Sequence, residues 1–127
     1  MDYCKNIKYS LLTTVKADFP TMVDCLLAQL PANETIVRLA FFGTPANNEM
    51  YLERRSILRD KVRHYFGMNR PALSYVSQPP LNTPLLLEVH SCQTDKEDQV
   101  IYGIHGDLSY VLLENNAGRF LYAGGFQ

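Results

Sequence analysis

Glu88 interrupts an apolar run, Leu85-Leu86-Leu87-Glu88-Val89. A carboxylate in such a strand must be paired, hydrogen-bonded or raised in pKa. His90 and Cys92 follow it at period two, so all three side chains share one sheet face. Glu-x-His-x-Cys can supply an acid–base pair or part of a metal site. A tetrahedral metal needs further ligands, and His105 is the one other obvious donor. The plain reading is therefore a half-solvated strand face, with no metal and no cofactor expected. Gly103-Ile104-His105-Gly106-Asp107 reads as a turn. There His105 could serve as a pocket acid or base, since its ordinary pKa lies near neutrality. A loop histidine that tolerates unusual backbone geometry is the better reading of the segment.

Arg55, Arg59 and Arg63 recur one helical turn apart and could contact phosphate. Glu53 and Asp60 interrupt that basic surface, and no interleaved aromatic residues mark a base-stacking platform. A solvated helix face with intrahelical pairs is the better reading, so nucleic acid is not an expected partner. No P-loop, nucleophile elbow, HExxH or dinucleotide fingerprint occurs.

The chain of 127 residues fits one domain with one core. An apolar fraction of 46%, a charged fraction of 20% and a net charge of -1 are those of a globular protein without a general pull toward polyanions. No apolar run approaches a membrane span, and the start lacks the apolar core of a signal peptide. Cys4, Cys25 and Cys92 are odd in number and scattered, which argues against a disulfide framework or zinc knuckle. A reducing, cytoplasmic setting is the expectation.

The elements that must position these residues follow from periodicity. Ile7 to Val15 reads as a strand. Asp18 caps a helix from about Pro20 to Gln29, whose Met22, Val23, Leu26, Leu27 and Leu30 form one face. Thr35 to Phe42 is mostly apolar, as a strand covered on both faces would be. Asn47 or Asn48 caps a second helix reaching Tyr65 or Phe66, with Met50, Tyr51, Ile57, Leu58, Val62 and Tyr65 as its buried stripe. Ala72 to Gln78 and Leu85 to Cys92 are strands joined by a proline-rich connection, and Gln93 to Asp98 is a polar turn. Val100 to Ile104, Leu108 to Leu113 and Arg119 to Ala123 are short strands, with a reversal over Glu114 to Gly118. The expected class is α+β: a mixed β-sheet with two helices packed on one face.

The order Tyr65-Phe66-Gly67, Pro71-Ala72-Leu73-Ser74-Tyr75-Val76, a proline-rich connection, then Leu86-Leu87-Glu88-Val89 resembles the second half of the YjgF/YER057c/RidA family. That family typically reads yF…PARS…V…LP…(L/I)E(I/V)E. The resemblance runs from Val37 to Val89 and implies a chorismate-mutase-like fold, assembly as a homotrimer, and a small-molecule pocket between subunits. It places Glu88 at the position of the family's water-positioning glutamate. It places Leu73 at that of the catalytic arginine, with no gap between the two. Leucine offers neither charge nor donor, so typical imine or enamine deamination is expected to be lost or altered. The implied pocket contains Glu88, Leu73, Tyr75, Gly124 and Gly125, with His105 and Arg119 as further candidates.

Gly118 to Gly125 also resembles a strand that the family carries early in its fold. Residues 99–127 are thus expected either to complete the sheet of a single 1–127 domain or to open a truncated second copy. Three functional readings follow. One is a metabolite-binding family member. Another is a hydrolase or lyase acting on an imine or chorismate-derived substrate, with Glu88 as base and Arg119 or Arg38 holding an acid; ribonuclease-type activity belongs with it. The last is a non-catalytic assembly module.

Overall fold

Strand β2 (Thr35–Gly43) runs through the interior of a computed structural model that describes residues 7–79, 83–94, 99–105, 108–115 and 118–123. Its neighbours are β4 (Leu86–Cys92), antiparallel, and β3 (Ala72–Ser77), parallel. Strand β1 (Ile7–Thr13) pairs antiparallel with the far side of β4, giving a mixed sheet ordered β1-β4-β2-β3. The parallel β2–β3 step is made through helix α2 (Asn48–Phe66), long enough to return the chain to the same end of the sheet. Helix α1 (Phe19–Leu27) joins β1 to β2.

Both helices start on side-chain caps. Asp18 accepts from the Thr21 backbone N–H at 2.8 Å, and Asn47 accepts from that of Met50 at 2.8 Å. Gly67 closes α2 with φ 65, a conformation glycine adopts without strain, and its N–H donates to the Arg63 carbonyl at 2.8 Å. Helix α1 stops at Leu27, short of the expected Gln29: the Gln29 and Leu30 N–H groups donate only three residues back, to Leu26 and Leu27, and the Gln29 side chain donates to the Thr13 and Cys25 carbonyls.

The two helices cover one face of the mixed sheet, as the periodicity requires. Val23 and Leu26 of α1 and Leu58 and Val62 of α2 close over Leu39, Phe41, Leu87 and Val89. The expected stripe of α2 needs two corrections. Met50 is only partly buried and lies outside the helix-side core. Tyr65 is 53% exposed, and Phe66 takes the inward position beside it. Strand β1 likewise ends at Thr13, leaving Val15 outside the sheet and exposed.

The chain's last third does not extend this sheet. Strands β5 (Gln99–His105), β6 (Leu108–Asn115) and β7 (Gly118–Ala123) form an antiparallel meander of their own. Its inner face packs Val111 and Leu113, with Tyr102 and Phe120 beside them, onto Val37 and Cys92 from the helix-free side of the first sheet. Strand β2 is therefore buried from both sides. Gly103 sits opposite Tyr110, whose ring would lie 2.1 Å from a side-chain carbon at that position, so the bare glycine lets the ring cross β5. No helix among the described residues is long and apolar enough to cross a membrane.

Phe41 is 0% exposed at the centre of β2. Phe41→Ala is expected to cost about 3–5 kcal/mol in urea unfolding; a loss under about 1 kcal/mol would show that β2 is not the middle of the core. Glu34 ties the strands laterally, accepting from the Lys8 ammonium and, at 2.7 Å, from the Ser91 hydroxyl. These two donors, Lys8 first, hold its carboxyl below the usual carboxylate range. The folded state therefore binds its proton less readily than the unfolded chain. The resulting stability is present above the unfolded carboxyl pKa and is lost as pH falls through the folded one. Glu34→Gln should flatten the acid limb of a stability–pH curve; an unchanged limb would mean that this cluster does not form in solution.

Candidate functional site

On β4, Leu87 and Val89 look toward the helices, so Glu88 and His90 look the other way. The two polar side chains bond one another, with His90 Nε2 3.0 Å from Glu88 Oε1. His90 is the more enclosed, at 15% side-chain exposure against 37% for Glu88. Tyr9, opposite His90 on β1, sets its ring edge-on to the imidazole with centroids 4.7 Å apart. Leu11 lies opposite Glu88, and both Tyr9 and Leu11 are strongly exposed. On the other flank the small Ala40 lies opposite Glu88, with the buried Ser74 beyond it on β3.

A bulge in β2 completes the cluster. Ile36 pairs with Ser91 and Arg38 with His90, so Val37 is an extra residue with no partner on β4. Ile36 and Leu39 both belong to the helix-side core, while Val37 joins the meander-side core. The two residues between Ile36 and Leu39 thus share the helix-free face, and Arg38 stands across from His90. A carboxylate, an imidazole and a guanidinium are brought onto one patch of sheet, in part open and in part under the meander. Such a set can bind an anion and exchange a proton beside it.

The remaining candidates lie elsewhere. Leu73 pairs with Leu39 on the helix side and packs against that core. Tyr75 is 2% exposed there, stacked on Tyr51 with centroids 5.1 Å apart and tilted against Phe19. The Tyr51 hydroxyl donates to the Tyr75 carbonyl at 2.9 Å. Burial pushes the Tyr75 hydroxyl pKa up, against the Arg54 guanidinium beside it. Leu73 and Tyr75 therefore do not share a face with Glu88. Their strand meets β2 in a register that turns odd-numbered residues inward, whereas β4 turns its odd-numbered residues inward and presents Glu88 outward.

Arg119 lies on β7 opposite Glu114 and forms an ion pair with it. Its neighbour Phe120 is the one that packs inward, which leaves Arg119 on the meander's outer surface, away from Glu88. His105 ends β5, but its side chain lies outside the described residues, as do Gly124 and Gly125. Cys92 shares the face of Glu88 and is sealed in the second core. Among the described residues no three metal-ligating side chains converge. On α2, Arg63 reaches Asp60 at 3.9 Å, and Arg54 lies over the Phe19 ring at 4.9 Å. No local pattern marks Tyr9, a single tyrosine in an alternating edge strand, as part of this cluster. Arg38 was visible as the one charge inside β2, but its facing depends on a bulge that no local pattern announces.

No family model matches this chain, and no curated protein does. Among solved structures, the crystal structure of YEO7 from yeast aligns over 72% of this chain and 83% of its own, with 17% identity and a TM-score of 0.47. A likeness of that size transfers no residue roles.

The inward facing of Leu73 is open to a direct check. Leu73→Arg would press a guanidinium into the helix-side core, and a fall in stability of about 2 kcal/mol or more is expected, with no gain of imine hydrolysis. A variant as stable as the parent and newly active would place residue 73 on the Glu88 face instead.

Proposed function

We propose that this chain is a divergent YjgF/RidA-like protein that binds a small metabolite on the Glu88 face, in a crevice closed by neighbouring copies in a homotrimer. In this reading typical imine or enamine deamination is lost or altered. The observation that carries the proposal is the Glu88–His90 pair at 3.0 Å, half-buried on the sheet face that the helices leave free. The motif order from Tyr65 to Val89 supports the family, and a residue 73 turned to the helix side, where the motif has its arginine, supports the altered chemistry. Tyr9 and Leu11, 66% and 64% exposed on β1 beside the pair, offer apolar surface for a neighbouring copy to bury.

The hydrogen-bonded pair favours a second reading as well, a hydrolase or lyase of different specificity. Glu88 would take a proton from the substrate, or from its attacking water, while His90 holds the carboxylate in place. Both readings use one surface and differ in whether a bond of the ligand is broken.

Ammonia release from freshly generated 2-aminoacrylate or 2-iminobutyrate separates them from the ordinary family activity. Release no faster than the uncatalysed background is expected. Robust turnover that disappears in Glu88→Ala would refute the loss of activity. Light scattering should give three times the 14.5 kDa chain mass, and Leu11→Glu should shift it toward the single chain without loss of helical signal. A parent protein that is monomeric at micromolar concentration removes the inter-subunit crevice.

A further inference from the structure

We infer that the cleft between α1 and α2 is a second binding site, and that it takes a small organic cation, an ammonium group on an apolar body. The cleft lies on the helix side of the sheet, across from Glu88, and is independent of the function proposed for that face. Strands β1 and β2 both run antiparallel to β4, and β3 runs parallel to β2. Each helix therefore links two parallel strands, and the two helices run in the same direction. Arg54 lies over Phe19 near their starts, Lys61 reaches Asp24 further along, and Ala28 and Tyr65 bound the cleft near their ends. Between them is a cavity of about 740 Å³, the size of a small-molecule site. Its floor is apolar: Leu27 belongs to the helix-side core, Ile57 packs against that core, and Pro20 and Ala28 add no polar side chain.

The charge around the cavity selects the ligand. Parallel helices bring both C-terminal ends, their negative poles, to the same end of the cleft. Helix α2 sets Arg63 and His64 against its own pole, whereas the last turn of α1 has no basic residue. The lining carries two carboxylates, Asp24 and Asp60, and a single lysine, Lys61. Lys61 is held by Asp24 at 2.9 Å, while Asp60 stands 72% exposed with Arg63 3.9 Å away. An incoming ammonium pairs with Asp60 as Lys61 pairs with Asp24. An anion would meet two carboxylates and the open pole of α1. Tyr65 supplies a ring to the wall. It stands edge-on to Phe66 with centroids 4.9 Å apart, so the inward Phe66 braces the exposed ring. Ring and floor suit an aryl or alkyl body. A bare metal ion does not fit, because no three ligating side chains converge among the described residues.

The test uses the intact chain and 2-phenylethylamine, which is protonated at neutral pH. The neutral control of like shape is 2-phenylethanol, and 3-phenylpropionate is the anion. In an NMR titration the Ala28, Ile57 and Asp60 amide signals should move together and saturate with the amine, while those of Glu88 and His90 stay still. The alcohol should bind about tenfold more weakly, and the propionate more weakly again. Asp60→Asn should weaken amine binding about tenfold, and Tyr65→Ala about threefold. Both side chains are exposed, so neither change reaches the core. Signals that move at Glu88 and His90 but not at the cleft would overturn the location. Equal affinity for amine and alcohol, or an Asp60→Asn variant that binds the amine as the parent does, would overturn the choice of a cation. No saturable movement at the cleft up to about 10 mM, an affinity too weak for recognition, would overturn the site.

Discussion

An extra residue in β2 decides which side chains meet. Without a bulge at Val37, strict alternation would put Ile36 and Leu39, three residues apart, on opposite faces of the sheet. The bulge absorbs the mismatch. It leaves Ile36, Leu39 and Phe41 in the first core, hands Val37 to the second, and sets Arg38 beside His90. A one-residue slip in a two-faced strand would exchange the contents of both cores, so the hydrophobic pattern on either side locks the bulge in place. The polar cluster is in this sense a by-product of packing: the strand that must satisfy two apolar layers is the strand that delivers the guanidinium.

Burial on both faces is unusual for a sheet that is mostly antiparallel, where one side commonly meets water. Here the helices take one side and the meander takes part of the other. Its inner row of Val111 and Leu113 covers the end of the sheet marked by Ile7, Val37 and Cys92. The polar pair begins where that cover thins, next to the exposed Tyr9 and Leu11. The position of Glu88 and His90 therefore follows from how far a three-stranded meander reaches across a four-stranded sheet.

Local periodicity carried most of the architecture. The cap at Asp18, the glycine stop at Gly67, the apolar β2 and the positive φ of Gly118 each have one dominant local cause. Facing across strands was harder. Period two says that Glu88 and His90 share a side, and that Leu73 and Tyr75 share a side. It is silent on whether the two sides are the same, because that depends on register against β2. Gapless alignment to a motif suggested a common pocket for residues 73 and 88, whereas hydrogen-bond register sets them back to back. The meander posed a similar difficulty. Its strands are legible one by one, but joining an existing sheet and founding a new one use the same alternation. Tyr65 and Phe66 show the limit at a helix end, where a shift of one residue swaps the inward ring for the outward one.

Strand β1 is hydrogen-bonded to β4, joining Leu12 to Leu87 across almost the whole middle of the chain. During translation β1 is made long before its partner. It must remain unpaired while α1, β2, α2 and β3 are completed, although it carries Leu11 and Leu12 side by side. Closing so long a loop is entropically costly and comes late, which makes the open β1 edge the segment most in need of shelter on a ribosome-bound chain.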